Sequence, residues 1–234
     1  MTMIRSELTV DPSWPVDATT RMNRMYRYQR HIYDISRRYY LLGRNELIVG
    51  LMPPAGGNVL EIGCGTGRNL VTAALRYPQA RFYGFDVSTE MLTSAIGAIA
   101  RAGLGSRAKV AHGDATNFTA QGVFGQPVWF DRVMISYSLS MIPDWTAVIE
   151  HAVASLKPGG QLHIVDFGDQ SGLPGFARRA LRRWLGLFGV EPRDQLEATL
   201  SQIAVRTGAG LTFDRPYRGY AQAAVLTLPL RRPA

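Results

Sequence analysis

Val59-Leu60-Glu61-Ile62-Gly63-Cys64-Gly65-Thr66-Gly67-Arg68-Asn69 is the stretch that decides the fold of this chain. A short apolar strand runs into three alternating glycines, and a helical pattern follows. Glycine at a strand-to-helix turn clears side chains from the place where backbone meets a ligand. The dinucleotide fingerprint spaces such glycines G-x-G-x-x-G and sets a pyrophosphate on the helix N-terminus. Here the spacing is G-x-G-x-G, and Glu61 lies near the end of the strand. A carboxylate in that place repels a pyrophosphate and suits an ammonium.

Working outward, strands and helices alternate after this turn. Val59–Ile62 reads as the first strand and Arg68–Tyr77 as a helix. Arg81–Asp86 is the second strand, and Ser88 caps a helix through Arg101, with Met91 at the capping-box spacing. Ala108–His112 and Phe130–Tyr137 are strands three and four, and Asp144–Leu156 is a helix. Lys157-Pro158-Gly159-Gly160 reads as a turn into strand five, Gln161–Phe167. Helices over Pro174–Phe188 and Arg193–Thr207 precede two closing strands, Leu211–Tyr220 and Ala221–Pro229. Strict alternation implies a parallel sheet covered on both faces, to which the closing pair adds antiparallel edge strands.

In a doubly wound sheet, ligands bind at the carboxyl ends of the strands. Strand two ends in Asp86-Val87, where a carboxylate can accept from ribose hydroxyls. Strand three leads into His112-Gly113-Asp114-Ala115, and strand four into Ser136-Tyr137-Ser138-Leu139-Ser140. The E-x-G-x-G-x-G pattern resembles motif I of the class I S-adenosylmethionine-dependent methyltransferases, and Lys157–Gly160 resembles the turn before their fifth strand. This resemblance implies S-adenosylmethionine as cofactor. It assigns cofactor binding to Glu61, Gly63, Gly65, Gly67, Asp86, Val87, Asp114, Ala115 and Ser136, with Asp114 in the position that accepts from the adenine amino group. The expected fold is α/β: a seven-stranded, doubly wound Rossmann-like methyltransferase sheet with a C-terminal antiparallel hairpin and an N-terminal helical lid.

Residues 1–18 read as a mobile lead interrupted by Pro12 and Pro15, residues 19–55 as the lid, and residues 56–234 as the cofactor-binding domain. From Thr20 to about Leu42 the pattern is helical. Tyr26, Tyr33 and Tyr40 recur every seven residues, and Arg30, Arg37 and Arg44 each follow a tyrosine by four. Tyrosine faces attract methylated ammonium, and arginine forks a carboxylate. A zwitterionic amino acid head group matches both, while an interfacial helix with core tyrosines and solvated arginines matches the pattern equally. A second basic amphipathic segment follows strand five, with Phe176, Ala180, Leu181, Trp184, Leu185 and Phe188 on one side and Arg178, Arg179, Arg182 and Arg183 on the other. It reads either as a helix at a membrane interface or as a surface helix packed on the core.

The composition is globular, with 46% hydrophobic and 19% charged residues among 234. No run of eighteen apolar residues is present, and Met1–Asp17 lacks the apolar core of a signal peptide. Cys64 is the only cysteine, so no internal disulfide forms, and a cytoplasmic, reducing compartment is expected. A net charge of +8 calls for a polyanionic neighbour, nucleic acid or an anionic membrane.

Tyr26 to Asp34, Arg38 to Arg44, Ser136 to Trp145 and Asp166-Phe167-Gly168-Asp169 resemble the bacterial betaine-lipid N-methyltransferases, a resemblance covering about residues 22–200. Members of that family trimethylate diacylglycerylhomoserine. The resemblance implies a lipid substrate at an anionic membrane surface, peripheral attachment to the inner face of the cytoplasmic membrane, and a partner enzyme that makes the homoserine lipid. The basic residues sit on amphipathic helices and no RNA-binding module is recognisable, which argues against nucleic acid. Chemistry then assigns Tyr33, Tyr40 and Tyr137 to the ammonium, and Tyr26, Arg37 and Arg44 to substrate binding. Asp166, Tyr137 and His31 are candidates for the proton the amine must lose, and no metal is expected. Phosphatidylethanolamine is the alternative acceptor, and an RNA or small amine a more distant one.

Overall fold

The structure, a computed structural model, describes residues 41–230. The mobile lead, the helix expected from Thr20, and Tyr26, His31, Tyr33, Arg37 and Tyr40 lie outside the described residues. Helix α1 (Arg44–Gly50) leads into β1 (Asn58–Ile62), α2 (Arg68–Arg76), β2 (Arg81–Asp86), α3 (Thr89–Arg101) and β3 (Ala108–His112). After a short α4 (Ala120–Phe124) come β4 (Phe130–Ser136), a 3-10 turn (Leu139–Met141), α5 (Trp145–Ala154) and β5 (Leu156–Phe167). The chain closes with α6 (Gly175–Gly186), α7 (Leu196–Thr207), β6 (Gly210–Asp214), a kinked helical turn (Pro216–Gly219) and β7 (Ala221–Thr227).

These strands form one seven-stranded sheet in the order β3-β2-β1-β4-β5-β7-β6. β1 to β5 pair in parallel, and β7 runs antiparallel to both β5 and β6. The expected α/β class and C-terminal hairpin are therefore both present. The central strands bury both faces, so they carry apolar runs in place of strict alternation. Edge strand β6 alternates exposed and half-buried residues. One core cluster, including Leu60, Ile62, Phe85 and Ile135, fills one side of the sheet. The other, including Val59, Leu70, Phe82 and Met134, also takes in Ile48 and Leu51 around α1. Each such fully buried side chain contributes roughly 1.5–3 kcal/mol.

Two local expectations change. Lys157–Gly160, read as a turn, is the opening of β5; the chain bends there because Gly159 takes φ of 74°, and the register against β4 shifts between Phe130 and Arg132. The strand expected over Leu211–Tyr220 stops at Asp214, because Tyr217 and Arg218 adopt left-handed dihedrals that no strand tolerates. Strand order reverses between β1 and its two neighbours, β2 and β4, so a crevice opens at their carboxyl ends.

Candidate active site

A cavity of about 670 Å³ occupies that crevice. Its floor is the glycine turn. Gly63, Gly65 and Gly67 all have positive φ, at 68°, 52° and 75°. A Cβ on Gly63 would strike Ser138, and one on Gly67 would press on Ala95. At Gly65 a Cβ would meet no protein atom within 4 Å, and the residue lines the cavity, so glycine here leaves room for a ligand. The turn is held by the Gly67 amide donating to the Cys64 carbonyl at 2.9 Å, and by the Cys64 amide donating to Phe85 at 3.0 Å. Cys64 itself is buried, and burial pushes its thiol well above the ordinary range. It packs as a small side chain under the turn.

Carboxylates stand at the ends of the three neighbouring strands. Glu61 is buried, and its Oε1 accepts from Asn69 Nδ2 at 3.0 Å. Its Oε2 is buried with no hydrogen-bond partner among the described residues. Burial raises its pKa from 4.5 to about 8, against the opposing pull of the Asn69 bond and the Arg44 charge. A buried oxygen without a partner carries a desolvation cost that a donor such as a ligand ammonium would relieve. Asp86 accepts from the Gly65 amide at 2.8 Å and the Ser88 amide at 2.9 Å, which aims it over the turn. Asp114 accepts from the amide and the hydroxyl of Thr116, both at 2.9 Å. Val87, Ala115 and Ser136 also line the cavity, so every cofactor residue expected from sequence lies in or under it, Gly67 through the turn it closes.

Arg44 and Tyr137 line the same cavity, as do Leu41, Met141, Ile142 and Pro143. Arg44 is 9% exposed and donates from Nε to the Leu41 carbonyl at 3.2 Å. Tyr137 sits at φ of 56°, a strained conformation for a bulky residue, and its hydroxyl donates to the Leu42 carbonyl at 2.6 Å. Burial raises the phenol's pKa. Asp166, another candidate for the amine's proton, is not among the residues lining the cavity. It is buried away from the cavity lining, accepting from the Ser140 amide at 3.2 Å and the Phe167 amide at 2.7 Å. Its pKa rises to about 6 by burial, but its bonds go into the loop after β4. Asp166 shapes the wall and does not reach the ligand space.

Sequence reading missed Asn69, Thr116, Met91 and the Met141-Ile142-Pro143 wall, all of which line the cavity. Asn69 was legible in principle, since it lies in the first turn of α2 directly after the glycines. Among the described residues no cluster of His, Cys, Asp and Glu is arranged to hold a metal ion.

The donor set fits S-adenosylmethionine: an orphaned carboxylate oxygen for an ammonium, a glycine opening, and aspartates on the next two strands. Residues 59–160 match the family model described as a methyltransferase domain. The chain is 29% identical over 150 residues to a demethylmenaquinone methyltransferase of Listeria monocytogenes serotype 4a, covering 64% of this chain and 60% of that protein. It therefore spans about three fifths of the length of that relative. Among solved structures, an O-methyltransferase family protein from Burkholderia thailandensis superposes with a TM-score of 0.67 at 18% identity, over 91% of this chain and 63% of the other. The plantazolicin methyltransferase BpumL, solved with SAH, gives 0.66 at 14% identity over 90% of this chain and 99% of that one. The fold is that of the class I methyltransferases.

Proposed function

We propose that this chain is an S-adenosylmethionine-dependent N-methyltransferase whose acceptor is the amino group of diacylglycerylhomoserine, giving the trimethylated betaine lipid. The observation that carries the methyl-transfer reading is the unpaired, buried Oε2 of Glu61 in a cavity floored by Gly65. Bound S-adenosylmethionine supplies an electrophilic methyl group on a positively charged sulfur. Glu61 takes the cofactor's ammonium, Asp86 its ribose hydroxyls and Asp114 its adenine amino group. Arg44, in the same cavity, suits the homoserine carboxylate. An amine held against Leu41, Met141, Ile142 and Pro143 loses hydration, which favours its neutral, nucleophilic form, its proton passing to water before nitrogen takes the methyl group from sulfur. The ring of Tyr137 is fixed by Leu42 and by an edge contact with Phe167 at 4.7 Å, and it favours the ammonium that results.

A second reading, methylation of demethylmenaquinone, is favoured by the same apolar wall and by the Listeria relative. Cells expressing the chain, fed labelled methionine and diacylglycerylhomoserine, separate the two. Label in the trimethylhomoserine lipid supports the proposal. Label in menaquinone, or in phosphatidylcholine alone, replaces the acceptor.

A further inference from the structure

Helix α6 shows solvent a face that the methyl-transfer reading does not use. Exposed residues Phe176, Arg179, Ala180, Arg183, Trp184 and Leu187 recur at spacings of three and four, which places them on one side of the helix. The opposite side is the anchor, with Leu185 buried and Leu181 and Phe188 packed on the core below. Phe176 and Leu187, near the two ends of the stripe, are each 73% exposed, and Trp184 is 37% exposed. Among the described residues, neither Arg179 nor Arg183 forms an ion pair, whereas Arg182 on the flank is tied to Asp194 at 2.7 Å.

This helix is joined to the cavity rim. It follows the carboxyl end of β5, on the sheet edge where the crevice opens. The segment leaving it returns to the 3-10 turn. The Glu191 amide donates to the Ser140 carbonyl at 2.8 Å, and Arg193 donates to Leu139 and Ile142 carbonyls at 3.0 and 2.8 Å.

We propose that the outward face of α6 docks on an anionic lipid surface, holding the cavity rim against the bilayer from which the acceptor head group is taken. This rests on the lipid reading above and names its interaction surface. Charge complementarity selects the occupant: the chain carries a net +8, and the stripe alternates guanidinium with large apolar groups. Such a face buries its apolar side chains among acyl chains while its arginines meet phosphates. A second copy of the chain on a two-fold axis would set these arginines against one another. A nucleic acid backbone would satisfy Arg179 and Arg183 but leave Phe176 and Leu187 in water.

The test is flotation of the full-length protein with vesicles of phosphatidylcholine mixed with phosphatidylglycerol, and with phosphatidylcholine alone. Binding to the mixed vesicles only, weakened by salt, is expected. The double variant Arg179→Gln/Arg183→Gln should bind roughly thirtyfold more weakly. Phe176→Ser/Leu187→Ser should lose roughly tenfold or more. Both variants should keep the wild-type melting temperature and S-adenosylhomocysteine affinity, since these positions are exposed. Absent vesicle binding, binding unchanged in both variants, or loss of RNA binding in their place overturns the proposal. Methylation of the acceptor in neutral detergent micelles separates the two ideas. With micellar activity and no vesicle binding, the surface falls and the reaction stands; with the reverse, the reaction falls and the surface stands.

Discussion

At the scale of single residues, Glu61 concentrates the chemistry of the site. Burial lifts its pKa from 4.5 to about 8, so the folded protein holds a proton there that the unfolded chain has released. The folded state then binds more protons between those values, and the stability of the ligand-free protein falls as pH rises through that window. In Glu61→Gln this part of the slope vanishes; urea melts at pH 5 and 8 should show a wild-type loss larger than the variant's by on the order of a few kcal/mol. The same substitution should weaken S-adenosylhomocysteine binding on the order of tenfold to a hundredfold by calorimetry, because a charge-assisted hydrogen bond is removed. Gly65→Val tests the floor of the cavity. It should cost about 1–2 kcal/mol in stability through its left-handed backbone, and far more in cofactor affinity than in folding. The strand-end carboxylates were legible in sequence because a parallel sheet puts its polar residues at one edge. Asp166 and Tyr137 were half legible. Their strand position was right, but sequence does not say that the loop after β4 folds back onto Asp166, or that the Tyr137 hydroxyl donates a hydrogen bond to the Leu42 carbonyl.

Among the elements, caps and periodicity were the readable features. Ser88 accepts from the Met91 amide at 3.3 Å, as its spacing predicts. Ser88→Ala should cost about 1 kcal/mol in a chemical melt. The β5–β7–β6 hairpin was legible as a closing pair, although the shape of its turn was not. Tyr217 and Arg218 take positive φ although neither is glycine, and Tyr217 is tied by its hydroxyl to Glu46 at 3.1 Å. Pro216 and Gly219 mark a turn locally, but the left-handed dihedrals of the two residues between them are not legible in sequence. Arg193 is a similar case. Sequence placed it at the start of a helix, yet it lies before α7 and holds both Leu139 and Ile142 carbonyls. Arg193→Ala should loosen the Met141-Ile142-Pro143 wall, raising KM for the acceptor several-fold while the cofactor dissociation constant stays near wild type. Equal losses in both would show that Arg193 supports the whole fold and not the wall.

For the whole molecule, the strand order places the cavity at the carboxyl ends of the parallel strands, and α6 follows the same end of β5. None of the described helices is long and apolar enough to cross a membrane. The sheet was legible because alternation of strands and helices is a local signal repeated many times. Sequence left the acceptor open because Arg44 and the apolar wall come from segments far apart in the chain. The most direct test of the central claim uses the purified full-length protein, S-adenosylmethionine with a labelled methyl group, and three acceptors in mixed micelles: diacylglycerylhomoserine, phosphatidylethanolamine and demethylmenaquinone. Mass spectra should show successive addition of methyl groups to the homoserine lipid, with Arg44→Lys raising KM for that lipid on the order of tenfold, the loss of a bidentate charge pair. Label entering demethylmenaquinone while the homoserine lipid stays unmodified would contradict the account.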